Sequence, residues 1–520
     1  MVAEFHDLRC EYLFGQRSRF SSTDLGSAAV GCGAEFHTRN DPTYFRMVET
    51  ARHLERNDRL ANAIVTRLVS NVCRKPPELN PQTGDEALDK DLKTRWWNWA
   101  TSTQSDYRRK FSFHRAAKIA LRRIIVDGDV FGSLTSDGSV QWLESHRCRT
   151  PGNALNRKQG NAVPVHGVER DINTGRVTRF YFTKGEVPLN QSVQLIGDTD
   201  PRDAFDKDGN PLVLQLALSD RFSGARGVTA FAQTQDDASQ LNDAMFAELV
   251  KMQTQSCVTF LREREIGFDE ANASDDGEDT VEVDVGDYAQ RLIEMAPGKE
   301  ITGRPGEKLS GFTPTVGGAD SRAFVMWIAQ CLAMNLGVPL ALLLFDFAGS
   351  SWSGGRLALD AARQRFDEIL QELIDQLYLP VYLWQLRRWM ATDEALRRAS
   401  LNPKLNLLVP TWNKPAWASI QPVDDATADG MLLSTGRLSM TEYHHSKGRD
   451  WDDVFEEIVA SNAKAIRRAK AESAAINSEF PDDRDPVAWF DLLPLPTRGG
   501  YRVNVTNTTN TQTGGTGNAA

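Results

Sequence analysis

Paired cysteines are missing from this 520-residue chain. Cys10, Cys32, Cys73, Cys148, Cys257 and Cys331 stand far apart, with no C-x-x-C pair and no clustered histidines. That spacing argues against a disulfide framework and against a compact zinc motif, and it reads as reduced, mostly buried thiols of a cytosolic product. A long apolar run is missing too. The most apolar stretch, near Ile328 to Phe347, is interrupted by Gln330, Asn335, Gly337 and Pro339, and its longest pure run is Pro339 to Phe345. A membrane span needs about 20 predominantly apolar residues, so buried core and no membrane partner are expected. The first residues carry Glu4, Asp7 and Glu11 without an apolar region and do not read as a signal peptide. Positive charge is not in excess either. The formal net charge of -10 argues against a protein that coats nucleic acid through a broadly basic surface, while leaving room for local basic patches. Finally, G-x-S-x-G, H-E-x-x-H and G-x-x-x-x-G-K-[ST] do not occur. The usual hydrolase and NTPase signatures are therefore absent, and no catalytic residue, cofactor or metal site is expected.

What is present is a sequence of contrasting segments, long enough for two to four domains. Residues 1–40 mix glycine, serine and arginine without period and read as a flexible arm. From Thr43 to Val72 apolar residues recur at helical spacing until Lys75-Pro76-Pro77 stops them. Helices are predicted over Glu86 to Ala100, with Trp96, Trp97 and Trp99, and over Phe111 to Asp127. Short β-prone runs follow at Gly128 to Leu134, Val140 to Leu143, Gly167 to Ile172 and Val177 to Phe182, with turns at Asp137-Gly138 and Asn173-Thr174-Gly175. Asn190 to Asn210 reads as a polar surface excursion. Thr229 to Leu261 is predicted to be one long amphipathic helix. Residues 262–318 then hold 14 acidic and 6 basic residues, a local charge of -8, with strand-like pieces such as Thr280 to Val285. Helices are predicted again over Asp320 to Leu336 and Arg356 to Met390, the latter kinked at Pro380, with a Gly/Ser-rich loop at Gly349 to Gly355 between them. Long helix, small acidic insert, long helix: that order suggests a helical stalk carrying a compact module at its tip.

Four stretches carry a resemblance to the lambda-type portal proteins of tailed phages. They are NDRLANAIVTRLVSNV at Asn57 to Val72, RRIIVDGDVF at Arg122 to Phe131, the span from Ala323 to Phe366 with IAQCLAMNLGVPLALLLFDF and SSWSGGRLALDAARQRF, and Trp417 to Val454. Trp352 stands where that family usually has Tyr or Phe, Gly354 and Gly355 loosen the loop, and Asn190 to Asn210 looks like an insertion. The resemblance implies an α+β, predominantly helical portal fold with wing, stem, clip and crown, assembled as a dodecameric ring. Projected onto this chain, 1–40 would be the arm, 41–228 the wing, 229–261 the first stem helix and 262–318 the clip. Residues 319–336 would be the second stem helix, 337–410 the channel loop and long wing helix, 411–475 the crown, and 476–520 a largely disordered tail. It also implies partners: the terminase large subunit, a head–tail adaptor, the major capsid protein and scaffold, and double-stranded DNA passing through the channel. The place would be the capsid portal vertex of a virion, with host cytoplasm during assembly.

Candidate site residues follow from both readings. By the resemblance, Gly349, Ser350, Ser351, Trp352, Ser353, Gly354 and Gly355 would face the channel. Asp275, Asp276, Glu278 and Asp279 would form an acidic collar that, repeated around a ring, repels DNA phosphates and gives a sliding duplex no resting contact; the alternative is a solvated surface loop. Arg115, Lys118 and Arg122 fall on one helical face and would touch DNA phosphates, pair with a neighbouring copy's acids, or simply be solvated. The three tryptophans cannot all point one way, so either at least one marks a subunit interface or they serve core packing. His444, His445, Asp450, Asp452 and Asp453 could be imagined as the metal site of a DNA-processing enzyme, but the acids precede an apolar-periodic helix and read better as its cap. A different head–tail connector or minor capsid protein is the remaining alternative.

Overall fold

The structure, a computed structural model, describes residues 41–152, 162–232 apart from 172, 186, 188–198, 220 and 223, and 243–250 apart from 244. It further describes the backbone of four strands between 258 and 302, and residues 319–345, 352–479, 487–489 and 492. The chain divides into two compact units, 1–412 and 413–520.

The first unit begins with two helices where the apolar period predicted one. Helix α1 (Asp41–Asn57) ends at Asp58, whose carboxylate accepts the Ala61 amide at 2.7 Å and starts α2 (Arg59–Val72). An aspartate that can satisfy an orphan amide splits an otherwise continuous stripe, because the apolar pattern is indifferent to the break. Ile64, Val65, Leu68, Val69 and Val72 form the buried stripe of α2. After the short strand β1 (Glu78–Asn80), α3 (Glu86–Thr101) is capped by Asp85 and α4 (Phe113–Asp127) by Ser112. Helix α4 is the centre of the unit, packing on α1, α2, α3 and the first sheet strand. It ends on Gly128, at φ 95°, as an acidic-Gly-acidic turn demands.

The expected strands are present. β2 (Asp129–Leu134), β3 (Val140–Glu144) and β8 (Val213–Ala217) form an antiparallel sheet in the order β3-β2-β8. β4 (Ala162–Val165), β5 (Val168–Asp171), β6 (Val177–Thr183) and β7 (Thr199–Asp203) form a second antiparallel sheet in chain order. Thus part of the segment read as a surface excursion, residues 199–203, is the edge strand of that sheet. Its proline and aspartates suit an edge, where one row of backbone groups faces water. Phe131, Leu143, Val168, Phe180, Phe182 and Val213 form one apolar cluster, with Phe131 at 5.5 and 5.3 Å from the rings of Phe180 and Phe182. Each phenylalanine buried this way contributes about 2–3 kcal/mol relative to exposure.

The helix expected over 229–261 is shorter at both ends. Residues 230–232 form a turn, 245–250 are helical, and Val258–Arg262 is strand β9, not helix. A β-branched and aromatic tip (Val258, Thr259, Phe260) turns extended once a partner strand is near. That partner is β12 (Lys299–Thr302), parallel to β9, while β10 (Thr280–Val285) pairs antiparallel with β11 (Tyr288–Ile293). A helix, two strand pairs and α5 (Ala319–Met334) therefore follow in the expected order. Pro339 then starts the short α6 (Leu340–Leu344), which packs on α2. Leu343 is buried, but Leu344 and Phe345 are exposed, so the most apolar run is only half core.

Helix α7 (Trp352–Leu373) continues through a π-helical turn, Ile374–Tyr378, into α8 (Leu379–Thr392). The expected disturbance at Pro380 takes this form: a proline lacks the amide for Gln376 and crowds its carbonyl, and a wider turn relieves both. Gln376 instead uses its side chain, accepting the Ala217 amide at 3.0 Å and donating to the Ala217 carbonyl at 2.9 Å. Helix α9 (Glu394–Ser400) follows, capped by Asp393.

The second unit contains α10 (Pro422–Ser434), α11 (Met440–Ser446, capped by Ser439) and the long α12 (Trp451–Glu479). Lys447 pairs with Asp429 at 3.0 Å and Arg449 with Glu457 at 2.6 Å. Phe455, Ile458 and Val459 are exposed along α12.

Candidate functional site

The strongest local construction in the first unit surrounds Arg226, where the chain leaves β8 on its way to the helical residues 245–250. Arg226 and Asp129 are both fully buried. The guanidinium donates to Asp129 Oδ2 at 2.6 Å and Oδ1 at 2.8 Å, and to the carbonyls of Cys148, His166 and Ser145 at 3.0, 2.7 and 2.9 Å. The Gly227 amide adds a donor to Asp129 at 3.2 Å, and the Tyr44 hydroxyl donates to the Gly227 carbonyl at 2.9 Å. Burial alone would lower the Arg226 pKa, but Asp129 beside it, with Tyr44 and Cys148, holds it well above the usual arginine range. A planar five-donor group is the only side chain that can satisfy so many acceptors converging from different strands and loops. Gly227 lies so close to Gly128 that a Cβ on it would collide with the Gly128 carbonyl. Arg226 therefore fastens α1, both sheets and the exit segment into one block.

The basic face of α4 is built differently from expectation. Arg122 donates to Glu55 at 2.5 Å and lies within 3.3 and 3.4 Å of Thr66 Oγ1 and Asn62 Oδ1; Arg123 grips the same carboxylate at 2.6 Å through both oxygens. Burial would raise the Glu55 pKa, yet Arg123 and Arg122 hold it below the usual carboxylate range. Arg122 thus joins α4 to α1 and α2 within the chain. Arg115 is exposed and Lys118 half-buried, so the three residues that share a helical face do not share a surrounding.

The tryptophans divide. Trp96 is buried against Phe113, Tyr382 and Trp412 at 5.5, 5.7 and 5.5 Å, and Trp99 donates its indole N–H to the Gly138 carbonyl at 3.0 Å. Trp97 is 55% exposed. Of the residues expected to face a channel, Trp352, Ser353, Gly354 and Gly355 begin α7, so the loop is shorter than its composition suggests; Gly349, Ser350 and Ser351 lie outside the described residues. The acidic residues Asp275, Asp276, Glu278 and Asp279 also lie outside them. In the second unit, Asp450 Oδ1 accepts the Asp452 amide at 3.2 Å and its carbonyl accepts the Val454 amide at 3.1 Å, which is a helix start. His444 stacks on Trp451 at 4.9 Å rather than turning toward these acids. Among the described residues no three His, Cys, Asp or Glu side chains are grouped to hold a metal ion.

Sequence reasoning missed Arg226 and the fully buried Arg149, whose guanidinium lies 3.4 Å over Phe45. Neither carries a periodic signal. The only hint for Arg226 is its setting, Gly-Ala-Arg-Gly, in which the glycine that follows permits close approach of another backbone.

A family model described as phage portal protein, lambda family, matches residues 35–369. Solved structures with similarity include a chain from the virion of a native gene transfer agent particle, at 12% identity and a TM-score of 0.39, covering 82% of this chain and 98% of that one. Another comes from the neck of an empty gene transfer agent particle computed with C6 symmetry, at 11% identity, TM-score 0.39, and the same coverages. No curated protein matches the chain.

Proposed function

Since this chain belongs to the lambda family of phage portal proteins, we propose that it assembles into a dodecameric ring at one capsid vertex, forming the channel through which duplex DNA is packaged and ejected. It is a structural and mechanical part, and the terminase large subunit docked on its rim supplies ATP hydrolysis before giving way to the head–tail adaptor. The observation that carries this reading is the family match, which spans the helix at 245–250, the two strand pairs and α5. Residues 245–250 and α5 supply the stem, the module between them the clip, α7 to α8 the long wing helix, and the second unit the crown. The arrangement supports it physically. Met245, Phe246, Leu249 and Val250 are exposed on one short helical stretch, and Trp327 and Met334 on α5. Exposed apolar area of this kind is what side-by-side copies would cover. The -8 charge of residues 262–318, repeated around the rim, gives a field that DNA phosphates avoid.

The test is the assembly state. Negative-stain microscopy and native mass spectrometry of the purified full chain should show a hollow ring of about a dozen copies. A monomer that fails to assemble with capsid and scaffold and cuts DNA with magnesium would overturn the proposal.

A further inference from the structure

In this acidic chain, arginines of the first unit commonly meet carboxylates of the same unit: Arg52 with Asp127, Arg95 with Asp393, Arg122 and Arg123 with Glu55, Arg226 with Asp129. Arg56, Arg59 and Arg67, gathered where α1 meets α2, form no ion pair with any described carboxylate. They line a groove of about 400 Å³ together with Asn57, Asn62 and Thr66. The one carboxylate there, Asp58, is buried and accepts the Ala61 amide as the cap of α2. With the Thr66 hydroxyl donated to Asn62 Oδ1 at 3.0 Å, what the groove offers is three guanidinium groups and the side-chain amides of Asn57 and Asn62. Buried Nε of Arg67 has no hydrogen-bond partner, and the guanidinium lies 3.9 Å over the ring of Phe345. Phe345 caps α6, a few residues before 349–355, which the portal reading turns toward the channel.

We propose that this groove holds backbone phosphates of duplex DNA. The inference rests on the portal reading and adds to it a place where the passing duplex is touched. Guanidinium groups without an ion-pair partner, beside side-chain amide donors, are the chemistry that phosphodiester oxygens accept. With no groove-reading helix or strand presented, the binding is independent of base sequence. The sequence alone pointed to α4 for this role, but Arg122 on that face is tied to Glu55.

The experiment compares the purified wild-type ring with an Arg56→Gln/Arg59→Gln ring. Both side chains are exposed, so the variant keeps its core, which a melting curve and negative-stain images verify. Affinity for a mixed-sequence duplex DNA is read by fluorescence anisotropy across a salt series. Each phosphate that the protein no longer neutralises lowers the slope of log affinity against log salt by about 0.9. Over a fourfold rise in salt the wild type should therefore lose roughly tenfold more affinity than the variant. Arg56→Lys/Arg59→Lys, which keeps the charge, should keep the slope. An unchanged slope in an intact variant ring overturns the inference and leaves the portal reading standing. A variant ring that falls apart at salt where the wild type holds assigns the groove to a neighbouring copy's acids, and overturns it as well. Absence of any ring from the wild type strikes the portal reading itself.

Discussion

Replacing Asp129 by Asn tests whether Arg226 fastens the exit segment to both sheets. The substitution preserves shape but leaves a guanidinium in a site with no exposure and no counter-charge. A carboxamide keeps one acceptor oxygen, so one of the two hydrogen bonds of the ion pair, at 2.6 and 2.8 Å, gives way to opposed N–H donors, and the other loses its anionic acceptor. Removing one partner of such a buried pair costs about 3–5 kcal/mol, against a total stability of about 5–15 kcal/mol. In urea, with a slope of about 3 kcal/mol per molar, the first unfolding transition of the disassembled chain should move down by about 1 M or more. Tryptophan fluorescence reports it, since Trp96 is buried in the first unit's core and Trp99 lies beside it at 5.2 Å. Raised salt should not restore the loss, because a buried charge is little screened. Glu394→Gln supplies the contrast: its pairing with Arg398 at 2.7 Å is exposed on both sides, and its removal should cost no more than about 1 kcal/mol. If Asp129→Asn cost no more than Glu394→Gln, the account of Arg226 as the central fastening would be wrong.

His114 lies against Tyr378 with both ring nitrogens buried and unpartnered, and burial pushes its pKa down to about 4. The unfolded chain therefore takes up a proton first. Stability is full above the ordinary value of 6.5 and falls as pH drops from there toward 4, by about 3 kcal/mol at most; a His114→Phe variant should show a flatter urea midpoint between neutral pH and pH 5. Gly227→Ala forces a methyl group into the Gly128 carbonyl and should cost at least about 2 kcal/mol in the same urea assay, whereas Gly430→Ala, with open space around it, should be close to neutral. Burial pushes the Cys73 thiol up to about 12 despite nearby Lys118. Iodoacetamide at mildly alkaline pH should leave it unmodified in the native protein and label it in urea, as peptide mass spectrometry would read.

Wherever a local rule decides, the sequence by itself determined the outcome. The helix over Glu86–Thr101, the four β-prone runs, the turn at Asp137-Gly138, the disturbance at Pro380 and the cap ahead of Trp451 all follow from period, propensity or turn chemistry, which act over a few residues. Family membership was legible as well, because ordered motifs survive when individual residues drift. Tertiary structure decided the places where a distant partner governs. Val258–Arg262 is extended because β12 lies alongside it, residues 199–203 form a strand because β6 offers an edge, and the break at Asp58 depends on one carboxylate finding an amide. The charged side chains show the same division. Composition fixed that basic residues are outnumbered, and spacing fixed that Arg115, Lys118 and Arg122 share a face. Which arginines find carboxylates, and which three are left facing a groove, depends on the packing of α1, α2 and α4. Ion pairing is a matter of a few ångströms across elements far apart in the chain, and no periodicity along it encodes that distance.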